Sequence, residues 1–469
     1  MFRANGAHSP AGFWGAALAA WLVSSSAFAS ECSRPTDPGG GDGYDYGAAE
    51  VSSFGNAQVL VWYTTTGAHA VSSASSRKDS VPDDVATVAE VTSNALTSYA
   101  AMGFRPVISD ALSPACGSNG GDGRLDVYLV SMRGADGMTV PESGRCSTTG
   151  AKECASYLFA KANFAGVYDT AEIGIRTVLP HEAFHAIQNA YDVELDRFWA
   201  EGTAQWAAKA LDPSLVDLER NLPAFFQQTS HSLDAPANGV TAAVLYGSAI
   251  WPVFLSQRFG DDIVRSILDR EAQAGDSALV ATDAVLGTMQ SSLRVEYPLF
   301  AAFNSATGAR AGTGGYAHAA DYPLVTLTEL TSTGAHDITS GLASFYYHAH
   351  VDAPIELSID TDPTRNTALL VPFEGGAPRV DQVAALPTTL AGEGIVVVSG
   401  ITTSKRDAPF TLSLASPAAA GDSGCAVCGP TPPSHTGVLL LVAYCAVLGA
   451  RSGLARRRRA SPRAEARGC

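Results

Sequence analysis

The sequence predicts an α+β fold: a small sheet with a mostly helical half, followed by a C-terminal antiparallel β-sandwich. Three observations carry this. Residues 171 to 305 bring apolar side chains back at helical spacing, with few breaks. After about residue 320 the pattern changes to short alternating runs separated by Pro, Gly and Asp. Ahead of both, two apolar strand candidates flank a single helical stretch.

In chain order, residues 1–29 predict an export signal. Arg3 and His8 give a weakly basic start, Phe13 to Val23 form the apolar run, and Ala27 to Ala29 supply the small-x-small cleavage site. The mature chain is expected to begin at Ser30. Residues 30–50 are rich in Gly, Pro and Asp and read as a flexible lead. Gln58–Tyr63 is a strand candidate. Pro82–Ala101 reads as a helix, with Val85, Val88, Ala89, Val91, Leu96 and Tyr99 on roughly one face and Ser80 or Asp83 near its cap. Gly120–Val130 is a turn running into a buried strand. Within the helical half, stretches are expected around His181, around Glu201, and over Val244–Phe259, Ile263–Ala272 and Leu293–Phe303. Ala343–Val351, Ile355–Ile359, Gly394–Ser399 and Pro409–Leu414 are the sandwich strands. The boundaries that follow are 51–310 for the first domain and 320–416 for the sandwich. A Pro/Gly/Cys linker then covers 417–435, and an apolar segment with an Arg-rich tail covers 436–469.

Formal net charge is −16, with only 16% charged residues and 45 glycines. The expected signal and tail are net basic, so the exported body is more acidic still. That balance excludes nucleic acid or an anionic membrane as the main partner and suits a secreted globular protein. Of the eight cysteines, Cys32, Cys116, Cys146 and Cys154 lie in the body, where export permits disulfides. Four cysteines allow three pairings. The short, turn-rich loop between Cys146 and Cys154 favours that pair, leaving Cys32 for Cys116. The tail joins Cys425 and Cys428 to an apolar run, Val438–Ala450, and four arginines, Arg456–Arg459. Thirteen apolar residues are short for a span of about 20, so the tail reads as a sorting element passing transiently through the inner membrane rather than a permanent anchor.

The chemistry concentrates at His181, Glu182 and His185. Two histidines four apart on a helix share a face, so both imidazoles reach one metal ion. Glu182, next to the first of them, can act as a general base on a water. A catalytic zinc site needs a third protein ligand and an open position. Glu201, an acid in the apolar stretch Phe198–Trp206, is the choice, and Gly202 lets its helix approach closely. Asp192, Glu194 and Asp196 compete from the connecting loop, where they read more simply as solvated charges. Pro180 is tolerated if the metal helix starts near Thr177, because the first helical N–H groups have no internal partner, or if the helix kinks there. Tyr246 is the candidate donor for a developing oxyanion, with His231 as its rival. A structural calcium site could draw on Asp79, Asp83, Asp84, Asp122 or Asp126, residues that more often cap helices and turns.

Gly121–Leu129, His181–Gln188 with Tyr191 and Asp192, Trp199–Trp206, and Tyr246–Gly247 together resemble a family of secreted zinc metalloproteases of the gluzincin group, best represented in myxobacteria. The resemblance covers roughly residues 55 to 415. It implies a zincin-like catalytic domain, Zn2+ on His181, His185 and Glu201, and Glu182 as base. The tail is similar to the MYXO-CTERM surface-sorting signal, which implies contact with membrane sorting machinery and a final place on the cell surface or outside it. The expected function is an exported zinc endopeptidase acting on extracellular proteins or peptides. The alternative is a surface adhesion protein that keeps the framework without turnover.

Overall fold

In the N-terminal part, five strands and one amphipathic helix interleave as β1 (Ser52–Gly55), β2 (Val59–Tyr63), α1 (Asp83–Ala101), β3 (Leu125–Val130), β4 (Gly137–Cys146) and β5 (Cys154–Lys161). The computed structural model describes residues 33–112, 120, 122–146, 152–236 and 243–416. The expected signal segment, Cys32, Cys116 and the tail from residue 417 lie outside the described residues. The five strands form one sheet in the order β1-β2-β3-β5-β4, with β2, β3 and β5 parallel and the outer two antiparallel. Pro141 fits β4 for an edge position, because a proline cannot donate to a second neighbour. Cys146 lies directly opposite Cys154 in the β4–β5 register, and Cys154 is disulfide-bonded.

Every residue of β3 is buried, and the alternation of its side chains gives the reason. Val127 and Leu129 face the helices, whereas Tyr128 and Val130 face the other way and pack with Tyr46, Tyr157 and Phe159. The segment from Ser33 to Tyr46 therefore covers the second face of the sheet. The lead expected to be flexible is anchored: Arg34 is fully buried, and Tyr46 Oη lies 3.0 Å from the carbonyls of both Trp62 and Leu129. One tyrosine and one arginine supply what its Gly/Pro-rich composition did not suggest.

The helical half comprises α2 (Ala171–Gln188), α3 (Arg197–Leu211), α4 (Asp217–Phe226), α5 (Ala243–Gly247), α6 (Ile250–Phe259), α7 (Asp262–Ala274), α8 (Ala278–Thr288) and α9 (Leu293–Ser305). Two expectations need correction here. The helix that carries His181 and His185 begins at Ala171 rather than near Thr177, with Thr170 Oγ1 accepting from Ile173 N, so Pro180 sits mid-helix. Thr177 instead donates back to the Ile173 carbonyl, 2.8 Å away. The helix expected over Val244–Phe259 is broken at Ser248–Ala249 into α5 and α6, because Pro252 has no N–H for the Ser248 carbonyl. Helix α4, with Leu218, Leu222, Phe225 and Phe226 buried, and helix α8 were not foreseen.

The C-terminal strands are β6 (Thr328–Glu329), β7 (Ala335–Ser340), β8 (Ser344–Thr361), β9 (Asn366–Glu374), β10 (Ala377–Pro378), β11 (Ala384–Ala385), β12 (Thr388–Gly400) and β13 (Asp407–Ala415). They build a separate, sandwich-like and largely antiparallel sheet ordered β10-β9-β12-β8-β13-β7, with β11 on β9 and β6 on β8. The long β8 covers both stretches expected as separate strands. Alternation again divides the faces. Ile395 and Val397 join the apolar cluster of the helices, while Val396 and Val398 join Leu357, Phe410 and Leu412 in a second core. Among the described residues no helix is long and apolar enough to cross a membrane.

Candidate metal centre

Helix α2 presents His181 and His185 on one face, and α3 crosses it with Glu201 aimed at both. His181 Nε2 and His185 Nε2 stand 3.0 Å apart, and Glu201 Oε2 lies 3.3 Å from the first and 3.4 Å from the second. Among the described residues, these alone bring three metal-ligating side chains together, with all three ligand atoms within 4.8 Å of one another. Close approach of the helices depends on Gly202, where a Cβ would meet Ser248 Oγ at 2.7 Å. That hydroxyl in turn donates to the Phe198 carbonyl, 2.6 Å away, tying α3 to the turn after α5.

The tautomers follow from the neighbours. Gln188 uses its amide nitrogen to donate to the Ala200 carbonyl (2.8 Å) and Thr203 Oγ1 (2.7 Å), which leaves its Oε1 to accept from His185 Nδ1 at 2.6 Å. With Nδ1 donating to Gln188, His185 Nε2 is the ring nitrogen left to meet either a proton or a cation. Glu201 Oε2 is buried and receives no hydrogen bond. Acceptor atoms crowded this closely repel one another unless a proton or a cation lies among them. The donor set, two imidazoles and one carboxylate, is the set that binds zinc at catalytic sites, and the orphaned carboxylate oxygen fits it. The charges respond in kind. Burial alone would lower His185, but the Glu201 carboxylate drives it up to about 9. Burial alone would raise Glu201, but the two imidazoles hold its carboxyl well below the usual range.

Glu182 is buried beside this trio, and burial raises its carboxyl against the pull of both histidines. Thr139 Oγ1, on β4, lies 2.8 Å from both the Glu182 carbonyl and Glu182 Oε2. Gly137 on the same strand sits against the Glu182 side chain, where a Cβ would come within 2.6 Å of Cγ. All of these line one cavity of about 530 Å³, whose walls also include Met138, Pro141, Asp192, Arg197 and Tyr246. The Tyr246 ring centroid is 5.8 Å from that of His181, and the Glu201 carboxylate together with burial pushes its phenol up, so it remains a proton donor.

The competing acids are occupied elsewhere. Asp196 Oδ2 accepts from Ala278 N at 2.9 Å, and Glu194 pairs with Lys152 at 2.8 Å. Asp192 is buried in the cavity wall rather than solvated, with Lys152 3.3 Å away. His231 is exposed and does not line the cavity. Of the aspartates considered for calcium, Asp79 and Asp122 pair with Arg77 and Arg124, Asp83 accepts from Ser76 N, and Asp126 pairs with Arg34; Asp84 lies in the first turn of α1. Sequence reasoning missed Thr139 and Gly137, because β4 has no clean alternation, and it assigned no role to Gln188. The last was findable, since it lies three residues after His185 on the same helical face.

No family model matches the chain, and no curated protein matches it either. Among solved structures it is similar to PliG, a periplasmic inhibitor of g-type lysozyme from Salmonella Typhimurium. The two share 9% identity over 19% of this chain and 97% of that one, with a TM-score of 0.16. A likeness at that level carries no argument about fold or function.

Proposed function

We propose that this protein is an exported zinc-dependent endopeptidase with a zincin-like catalytic half. The observation that carries the reading is the convergence of His181, His185 and the orphaned Glu201 Oε2, with Glu182 beside them, in a cavity bordered by the edge strand β4. When bound, a zinc ion supplies Lewis acidity toward a water and a carbonyl. Glu182 takes the proton of the attacking water and delivers it to the leaving amine, a shuttle suited to a carboxyl whose affinity for protons burial has raised. Thr139 holds that carboxylate by hydrogen bond. Tyr246 donates to the developing oxyanion. Among the described residues strand β4 has a neighbour on one side only, so that edge can pair with an extended peptide backbone. Extracellular proteins and peptides are the proposed substrates.

Metal analysis of the purified protein, joined to cleavage of a denatured protein mixture, tests the reading. About one zinc per chain is expected, with cleavage that stops on chelation and returns on adding zinc. A protein that binds no zinc, or that binds it and cleaves nothing in the mixture, would refute the proposal.

A further inference from the structure

On the far side of β4 from the cavity lies a buried ionic cluster that the chemistry above does not use. Its centre is Arg34, from the segment before β1, with no exposed surface. One guanidinium nitrogen lies 2.7 Å from Asp110 Oδ2 and 2.8 Å from Glu142 Oε2. The other pairs with Asp126 and lies 3.3 Å from Tyr128 Oη. The guanidinium also stands over the Tyr157 ring, 5.0 Å from its centroid. Asp126 is on β3, Tyr157 on β5 and Glu142 on β4, so one side chain joins three strands.

The position of Glu142 gives this cluster a consequence. The register between β4 and β5 is regular from Gly137 to Pro141 and then shifts before Cys146. Glu142 falls in that break, where the ladder does not hold the strand, and among the described residues β4 has no neighbour on its other side. Just before the break stand Pro141 and Thr139, which wall the cavity, and Thr139 holds Glu182. We propose that Arg34 is a positioning residue that straps β4 against the sheet, so that displacing the N-terminal segment would loosen the cavity wall and switch the site off. The inference rests on the peptidase reading for its effect on turnover, and on the fold alone for its effect on β4. A planar guanidinium can bridge three carboxylates, whereas a lysine ammonium is a compact point charge that cannot span them.

The test compares the full chain with Arg34→Ala and Arg34→Lys by backbone hydrogen exchange and zinc content. Both variants should keep zinc, because its proposed ligands lie on α2 and α3. Both should lose protection selectively over Gly137–Cys146, with β3 and α2 unchanged. Millimolar guanidinium should restore part of that protection to Arg34→Ala, and methylammonium should not. Cleavage measured as kcat/KM should fall roughly ten- to a hundredfold, the size expected from a small misplacement of a positioned group. Unchanged exchange in β4, or loss spread evenly over the sheet, would overturn the proposal. If both arginine variants fail to fold, Glu142→Gln, which neutralises the β4 carboxylate that Arg34 pairs with, must show the same selective loss. A wild-type chain that cleaves nothing defeats the peptidase reading, and the exchange comparison then decides the strap by itself.

Discussion

Glu182 and Glu201 are carboxylates on adjacent helices with opposite assignments, and substitutions separate them. Glu182→Gln keeps shape and removes the base, so zinc should remain while turnover falls about 10²–10⁴-fold. Loss of zinc from that variant would instead make Glu182 a ligand. Glu201→Ala should lower zinc affinity and activity together, whereas Asp196→Ala, which removes an acceptor for Ala278 N, should leave zinc content unchanged. Gln188 touches no proposed substrate atom. It fixes the His185 tautomer while bonding to α3, so Gln188→Ala should weaken zinc binding about 10–100-fold without changing stoichiometry at saturating metal. Titration against a competing chelator measures zinc binding in all four variants. The two histidines and Glu182 were readable from spacing alone. Thr139 was not, because its relation to Glu182 exists only across two elements 43 residues apart.

Helix α7 shows how packing sets protonation at the level of an element. Glu271 is buried on it, and burial with the nearby Asp196 carboxylate pushes its carboxyl up to about 8. An unperturbed glutamate titrates near 4.5. Between these values the native state holds a proton that the unfolded chain has lost. The resulting stabilisation is fully present below 4.5 and is lost as pH rises through about 8. The melting temperature should therefore fall more steeply between about pH 5 and 8 in the wild-type chain than in Glu271→Gln, and parallel slopes would show that Glu271 is ionised in the native state. Pro180 makes a related point about α2. It removes one backbone bond inside the helix, and the helix persists because Leu179, Ala183 and Phe184 are fully buried and Tyr99 donates to the Pro180 carbonyl at 3.0 Å. Tertiary packing overrides the local preference for a start at Thr177.

Across the whole molecule, the C-terminal sheet shares its inner face with the helices. Val371, Ile395 and Val397 belong to the same apolar cluster as Phe254 and Phe300. Further ties run from Ser344 N to the Thr229 carbonyl (2.7 Å) and from Leu233 N to the Leu342 carbonyl (2.8 Å). Calorimetry should give a single unfolding transition for the region up to Ala415. A chain ending before β6 should not fold, because it would leave that inner face of the helices in water. Two separated transitions, or a soluble folded fragment, would show that the sheet is an independent domain.

The sequence by itself determined the α+β class, the helical half, the alternating C-terminal strands and the trio His181, Glu182 and His185. Each of these is written in a local period or spacing, 3.6 for a helix and 2 for a strand, which neighbouring residues carry without help. Even Glu201 was within reach, as an acid in an otherwise apolar helix. The tertiary structure alone decided the rest: that β4 lies at an edge beside Glu182, that Arg34 fixes a lead whose composition suggested freedom, and that Asp192 is buried. Those features depend on pairing register and on charges drawn together from distant segments. Burial changes what such groups do, and no local pattern records which partners the fold will bring them.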